Sequence, residues 1–248
     1  MWKAKVLKRH CVSRKIPGPV KRLFRPVRNL YRKKDSAELS FWRSRYRIEG
    51  GRFNNSHYQE ILLAMANEPD QTFLEGKVVA DFGCGPRGSL VWADAASIRI
   101  GIDVLADRYA DEFTGDLTSH NMLYVKSTEK VIPLPTGLVD VMFTLNAMDH
   151  VEDFPLMCRE ILRVLRPGGL LVGSFNLGEP PTPEEPQQLD EAAINRHLLD
   201  RLEVESYRVG RRGATGDTYG PLLRGEETEY HPGEEGHLWL RARKPTDT

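Results

Sequence analysis

The stretch VVADFGCGPRGSL, residues 78–90, joins an apolar run to a glycine-rich loop. Apolar residues lead to Asp81, and the loop then carries glycines in the spacing G-x-G-x-x-G, at Gly83, Gly85 and Gly88. A glycine turn after a strand lets a ligand approach the backbone closely. Ligands of open α/β sheets bind beyond the carboxyl ends of the strands. The stretch therefore predicts a strand, a turn and a ligand site at one edge of a sheet.

The segments around this loop alternate between strand and helix patterns. Apolar strand patterns occur at 77–82, 98–103, 122–127, 138–146, 170–176, 203–209 and 237–243. Helix patterns occur at 89–96, 154–166 and near 187–201. Strands that alternate with helices are typical of a parallel sheet with helices on both faces. We therefore predict an α/β, doubly wound fold of the Rossmann-like kind, preceded by a helical extension over residues 35–76.

Composition and length describe a globular chain. Its 248 residues are 40% hydrophobic and 28% charged, which suits one domain with extensions. We expect no membrane-spanning helix, because no apolar run is long enough to cross a bilayer. We also expect no secretory leader, because the first residues lack its apolar segment. Its cysteines, Cys11, Cys84 and Cys158, lack metal-ligand spacing. We predict a cytoplasmic protein with reduced thiols.

The charge is distributed unevenly along the chain. Residues 1–34 hold thirteen Lys or Arg and no acidic residue, although the whole chain has 35 of each sign. Within this basic N-terminal arm, residues 19–33 place apolar side chains at helical spacing opposite Lys and Arg, and Pro26 interrupts them. Such a segment can lie on an anionic membrane. Nucleic-acid binding and packing on the rest of the protein are the alternatives, and we predict peripheral membrane contact.

Asp81 separates two classes of ligand. A pyrophosphate is anionic, and a carboxylate two residues before the first glycine would repel it at close range. A ligand with a sulfonium and an ammonium group is cationic and tolerates that carboxylate. Asp103, at the end of the second strand, can accept hydrogen bonds from ribose hydroxyls in either class. Asp81 therefore favours S-adenosylmethionine over NAD, although Asp81 could also serve only as a loop cap.

Four motifs in order resemble those of the class I S-adenosylmethionine-dependent methyltransferases. They are VVADFGCGPRGSL, IGIDVL, IPLPTGLVDVMFTLNAMDHV and EILRVLRPGGLLVGSF, and together they cover roughly residues 77–176. The resemblance implies a seven-stranded sheet whose last strand is antiparallel. It makes residues 77–248 the methyltransferase domain, and within it we expect 210–236, rich in glycine and charge, to be a long exposed loop.

The resemblance also implies roles for individual residues. It assigns Asp81, Gly83 and Gly85 to the methionine part of S-adenosylmethionine and Asp103 to the ribose. The polar pair after the third strand, Thr128 and Glu129, becomes the candidate for the adenine edge. Two departures bear on these assignments: Arg87 stands where the family commonly has glycine, and EKVIPLP carries one extra residue.

The end of the fourth strand supplies candidates for the acceptor side. Asn146 is expected beside the transferred methyl group, with a strand-end cap as the alternative. His150 is the candidate general base, and a helix N-terminal histidine bonded to backbone is its alternative. We predict no metal site. The acceptor is a small molecule or a lipid- or glycan-linked group.

Two other functions fit parts of the pattern. An NAD-dependent dehydrogenase or epimerase would share the glycine loop, but it would need a catalytic Tyr or Lys pair that the sequence does not identify. A methyltransferase-like binding module without turnover would keep the same motifs. Methyl transfer is the function that the four motifs favour.

Overall fold

The computed structural model describes residues 25–213, 218–226 and 229–246, with side chains from residue 34 onward. Within them, strands form one mixed sheet in the order β3-β2-β1-β4-β5-β7-β6. The strands are β1 Val78–Phe82, β2 Ile98–Asp103, β3 Leu123–Lys126, β4 Val139–Leu145, β5 Leu165–Leu177, β6 Glu203–Arg211 and β7 Gly236–Arg243. β1 to β5 pair in parallel, and β7 is antiparallel to β5 and β6. The predicted seven-stranded sheet with an antiparallel last strand is confirmed.

The strand order reverses between β1 and β4. From β1 the chain adds β2 and β3 on one side, and β4 and β5 on the other. Connections that leave a parallel sheet in opposite directions open a crevice between the carboxyl ends of the two central strands. The fold therefore places a ligand crevice at the ends of β1 and β4, where the glycine loop also lies.

Helices cover both faces of the sheet, as predicted. They are α1 Arg25–Ile48, α2 His57–Ala66, α3 Ala106–Glu112, α4 Thr114–Ser119, α5 Phe154–Val164, α6 Glu191–His197 and α7 Gly220–Leu223, with 3-10 turns at Gln71–Leu74 and Leu199–Arg201. Side chains of successive strand residues point to opposite faces. Val141 accordingly packs in a cluster with α2, and Met142 packs in a second cluster with α5 and α6.

The helical extension docks through an aromatic cluster of its own. Trp42 and Tyr46 of α1 pack against Phe53, Tyr109 and Phe113, with ring centroids 5.0–6.5 Å apart. Aromatic pairs at such separations stabilise a contact beyond the area that they bury. α1 is thereby held against α3, over the edge of the crevice. α1 continues through residue 34. The boundary between the basic arm and the helical extension is therefore a change in charge and not the end of a helix.

Two sequence predictions were wrong. Residues 89–96 form turns rather than a helix, with hydrogen bonds from the Val91 amide to the Gly88 carbonyl and from the Ala93 amide to the Leu90 carbonyl. Arg99 of β2 donates to the carbonyls of Leu90 and Val91, so these carbonyls are engaged by a side chain and not by a helical ladder. Part of the expected loop at 210–236 is also buried: Thr218 and Tyr219 line the ligand cavity, and the first three residues of α7, which follows them, are buried.

Other predictions concern the thiols and the membrane. Cys84 and Cys158 are buried and unbridged. Among the helices that the structure describes, none is long and apolar enough to cross a bilayer. Cys11 and most of the basic arm, including the first part of 19–33, lie outside the described residues.

Candidate functional site

A cavity of about 860 Å³ opens at the carboxyl ends of β1, β2 and β4. Its volume lies toward the upper end of the range for ligand pockets, about 300–1,000 Å³. Its lining includes these sequence-predicted residues: Asp81, Gly83, Asp103, Thr128, Glu129, Asn146 and His150. The fold therefore brings together residues that lie up to 69 positions apart in the chain.

The glycine loop is shaped by close packing as well as by its backbone angles. Gly83 and Gly85 both adopt positive φ, at 76° and 56°, a region that favours glycine. A Cβ on Gly83 would stand 2.1 Å from the Cβ of Ala147, and one on Gly85 would stand 2.7 Å from the Trp42 ring. Gly85 contributes to the site through its amide, which donates to Asp103 Oδ2 at 3.0 Å. Larger side chains at either position would therefore displace walls of the site.

Asp81 is a buried carboxylate that lacks a full set of partners. Its side chain is 3% exposed. Ser89 Oγ donates to Oδ2, while Oδ1 is buried without a hydrogen-bond partner. Burial raises the pKa of Asp81 to about 7. A cationic group in the cavity would stabilise the charged form of this carboxylate.

Asp103 is fixed by two backbone amides. Oδ2 accepts from Gly85 and Oδ1 accepts from the Leu105 amide at 2.8 Å. Burial is the main reason that its pKa is raised to about 7. Each carboxylate oxygen keeps a further lone pair, so the group can still accept bonds from two neighbouring hydroxyls.

The polar side chains after β3 differ in whether they already have a hydrogen-bond or ion-pair partner. Thr128 is exposed, and its hydroxyl accepts from the amides of Lys130 and Val131 in a local turn. Glu129 pairs with Lys34 of α1 at 3.1 Å. Ser127, which sequence reasoning missed, is 1% exposed, lines the cavity, and has a hydroxyl without a partner. Ser127 is the polar side chain of this turn that remains available to a ligand.

Asn146 occupies a strained turn at the end of β4. Its φ of 47° is in the left-handed region, which Asn tolerates better than most residues. Ser174 Oγ donates to Asn146 Oδ1 at 2.6 Å, and Asn146 Nδ2 donates to the Tyr219 hydroxyl at 2.9 Å. Burial raises the pKa of Tyr219, which keeps the hydroxyl protonated. Its proton is thus free to be donated into the cavity.

His150 lies among three carboxylates. Nδ1 is 3.6 Å from Glu38 Oε2, and Nε2 is 3.5 Å from Glu185 Oε1 and 4.0 Å from Asp149 Oδ1. The backbone carbonyl of His150 accepts from Lys34 Nζ. The following helix begins only at Phe154, where Asp153 caps it. The alternative of a helix N-terminal histidine therefore does not hold.

Several lining residues come from segments that carry no motif. α1 contributes Lys34, Glu38 and Trp42, while Tyr219 and His237 come from late in the chain. Burial lowers the pKa of His237 to about 4, and both of its ring nitrogens are buried without partners. Periodicity shows only that these residues belong to a helix, a loop or a strand. Their position at the cavity depends on tertiary contacts.

Comparisons with known proteins point to one family. Residues 80–173 match the family model described as "Methyltransferase domain". The malonyl-[acyl-carrier protein] O-methyltransferase of Enterobacter lignolyticus is 29% identical over 153 residues, which is 60% of this chain and 58% of that protein. The chain spans about half the length of the curated relatives it matches.

Solved structures share the fold. The [4+2]-cyclase SpnF matches with a TM-score of 0.56 at 21% identity, over 76% of this chain and 81% of that one. An S-adenosylmethionine-dependent methyltransferase from Mesorhizobium loti matches with a TM-score of 0.51 at 17% identity, over 69% of this chain and 92% of that one. The name of the first shows that the fold also hosts other chemistry.

Proposed function

We propose that this chain, which contains a class I S-adenosylmethionine-dependent methyltransferase domain, transfers a methyl group from S-adenosylmethionine to a small-molecule or a lipid- or glycan-linked acceptor. One observation carries the proposal. Asp81, whose Oδ1 is buried without a partner, lines the cavity where the strand order reverses, and Asp103 lines the same cavity. A cationic nucleoside ligand would offer a positive group to Asp81 and ribose hydroxyls to Asp103.

The buried polar atoms fit this cofactor. The ammonium group of its methionine part would donate to Asp81 Oδ1, and its ribose hydroxyls would donate to Asp103. Gly83 keeps the loop close to the ligand, and Gly85 orients Asp103 through its amide. Ser127 supplements Thr128 and Glu129 as a partner for the adenine edge, because its hydroxyl is the unpartnered one.

Methyl transfer requires the protein mainly to align the acceptor with the methyl group of the cofactor. The sulfonium of the bound cofactor already activates the methyl group, so the protein's task is to hold the acceptor in line within a site that excludes water. Asn146 and Tyr219, joined by a hydrogen bond, line the same cavity as Asp81 and Ala147. We assign the acceptor to the neighbouring part of the cavity, which His150, Asn176 and His237 border.

An NAD-dependent enzyme fits the site less well. Dinucleotide pyrophosphates bind at the N-terminus of the helix that follows the glycine loop. Residues 89–96 form turns here, so those aligned amides are missing from this stretch, and Asp81 adds a repulsive charge. Both features favour S-adenosylmethionine.

The basic arm is assigned a separate task. We propose that residues 19–33 bring the enzyme to an anionic membrane surface, where a lipid-linked acceptor would be concentrated. The support is the pairing of apolar periodicity with clustered Lys and Arg in the sequence. Nucleic acid remains the competing partner because phosphate attraction needs only the charge.

Binding assays on the full chain test the proposal. S-adenosylhomocysteine and S-adenosylmethionine are expected to raise the melting temperature, and NAD is expected to leave it unchanged. Calorimetry should give one cofactor per chain. NAD that binds tightly in place of S-adenosylhomocysteine would contradict the assignment. Methyl-labelled cofactor incubated with lipid and small-molecule extracts then tests turnover, and intact binding without label transfer would identify a binding module.

A further inference from the structure

Three side chains at the acceptor part of the cavity bring ligand-type atoms together: His150 and Glu185 line the cavity, and Asp149 is buried beside them. Each offers one such atom, and the three atoms all lie within 4.8 Å of one another. Asp149 and His150 follow β4, and Glu185 comes from the connector between β5 and α6. The Gln187 amide donates to the Asp149 carbonyl at 3.1 Å. This bond holds the connector against the residues after β4.

A second observation points to a ligand between these atoms. Asp149 is 3% exposed. Its Oδ2 accepts from Asn176 Nδ2 at 2.9 Å, but Oδ1 is buried without a partner, and so is Asn176 Oδ1. Leaving a buried carboxylate oxygen unpaired is costly, and such atoms normally have a partner. Two adjacent unpartnered oxygens call for a cation or a hydrogen-bond donor.

The separations decide between a proton and a metal ion. Charge-assisted hydrogen bonds between nitrogen and oxygen are about 2.7–2.9 Å long. The two contacts of His150 Nε2, at 3.5 and 4.0 Å, are longer. Ligand atoms that each lie about 2.1 Å from one ion are separated from one another by about 3–4 Å. The two separations from His150 fall in this range, and the three candidate ligand atoms all lie within 4.8 Å of one another.

We propose that Asp149, His150 and Glu185 bind a divalent cation, with Asn176 Oδ1 as a neighbouring donor. Two carboxylates with one imidazole suit an ion that accepts both oxygen and nitrogen, such as Mn²⁺. Three protein ligands leave coordination positions open toward the cavity. His150 then acts as a ligand through Nε2 and not as the general base.

The ion also indicates the class of acceptor, and this part rests on the proposed methyl transfer. Open positions on a divalent ion bind oxygen, so the acceptor carries a hydroxyl beside a second oxygen group. As the acceptor oxygen bonds to the methyl carbon, the carbon–sulfur bond breaks and S-adenosylhomocysteine leaves. The hydroxyl proton passes to solvent, and the ion makes its release easier by lowering the pKa of the bound oxygen.

Metal titration of the full-length protein tests the site without relying on turnover. Chelator-treated protein is titrated with Mn²⁺, and free Mn²⁺ is followed by electron paramagnetic resonance. We expect one ion per chain. Asp149→Asn and Glu185→Gln should each weaken binding by roughly 10- to 100-fold or more, since changes to groups that only support metal ligands already have effects of that size. S-adenosylhomocysteine binding, measured on the same samples, should persist.

Glu184→Gln is the matched control, because it removes the same charge from the same connector one residue away. It should change Mn²⁺ affinity by less than about threefold, as expected for a carboxylate outside the ligand set. Mn²⁺ that does not bind at millimolar concentration, or an equal loss in both Glu variants, would overturn the proposal. A turnover loss of about 10²–10⁴-fold in His150→Ala that is the same with and without chelator would also overturn it and restore the general base.

Discussion

Asp103 combines two tasks at the end of β2. It holds the amides of Gly85 and Leu105 and, in our proposal, receives the ribose hydroxyls. We expect Asp103→Ala to weaken S-adenosylhomocysteine binding by about 2–4 kcal/mol, taking about 1.5–3 kcal/mol for each charge-assisted bond as an upper guide. Calorimetry measures the change.

The same substitution frees two backbone amides, so each binding measurement needs a melting curve beside it. Asp107→Ala is the matched control, since Asp107 of α3 is a half-exposed carboxylate paired with Lys126 of β3. Its loss should leave cofactor affinity unchanged. Equal affinities for Asp103→Ala and the wild-type protein would remove Asp103 from the site.

The two buried carboxylates make cofactor binding depend on pH. Burial raises the pKa of Asp81 and of Asp103 to about 7 in the ligand-free protein. Between pH ~4 and ~7 the folded state therefore binds more protons than the unfolded state, and the free energy of unfolding falls as pH rises through this window. A cationic ligand reverses this preference for the protonated carboxyl groups, because it stabilises the charged form of both.

S-adenosylmethionine binding should therefore release protons below pH 7 and tighten as pH rises, by up to about tenfold per unit for each proton released. Calorimetry at pH 6.5 in two buffers of different ionisation enthalpy counts the protons. Asp81→Asn should reduce the count. An affinity that stays flat between pH 6 and 8 would contradict the assignment of these groups.

Among the secondary-structure elements, α7 follows a short segment of the connection between β6 and β7, and this segment contributes a side chain to the site. Tyr219 accepts a hydrogen bond from Asn146, which Ser174 holds from the other side. Tyr219→Phe leaves the buried Asn146 amide without that partner, which costs about 1–3 kcal/mol of unfolding free energy. We expect lower turnover with little change in cofactor affinity, because Asp81 and Asp103 are untouched.

Denaturant unfolding and steady-state kinetics measure these effects. Tyr207→Phe is the matched control: its hydroxyl donates to Glu191 away from the cavity. That variant should keep full turnover. If Tyr207→Phe and Tyr219→Phe lower turnover equally, the Asn146 contact has no special part in the reaction.

Over the full chain, the basic arm and the residues that follow it have opposite net charge. The thirteen Lys and Arg of residues 1–34 face no acidic residue in that segment, and residues 35–248 have 22 basic against 35 acidic residues. We expect the full-length protein to co-sediment with anionic vesicles and not with neutral ones. Each basic residue near the surface contributes about 1 kcal/mol of attraction, so several suffice for peripheral binding.

Deletion of residues 1–33, which removes the whole proposed membrane segment, should abolish co-sedimentation and leave cofactor binding intact. The deletion stops there because Lys34 pairs with Glu129 and Glu152 at the cavity. Co-sedimentation that survives the deletion would place the membrane contact elsewhere. Stronger retention on RNA than on vesicles at matched salt would favour nucleic acid as the partner.

Local patterns in the sequence predict the sheet, the glycine loop and the two acidic positions of the candidate cofactor site. These features are local: a strand pattern ending at Asp81 or Asp103 specifies which side chain leaves the carboxyl end of its strand, and parallel pairing then brings such ends to one edge. The failed helix at 89–96 marks the limit of periodicity, because a distant side chain, Arg99, binds the carbonyls of Leu90 and Val91 and the segment forms turns.

The side chains around the proposed acceptor position could not be predicted from local patterns, because they come from segments that meet only in the folded protein. Glu185 lies 35 positions after His150, and Tyr219 lies 73 positions after Asn146, in segments whose composition indicated only a connector and an exposed loop. Their side chains reach the cavity because Gln187 holds the connector and because Tyr219 packs against His237 and Trp239 of β7. Contacts of this kind depend on burial and hydrogen bonding between distant segments, and a one-dimensional pattern does not encode which segments meet.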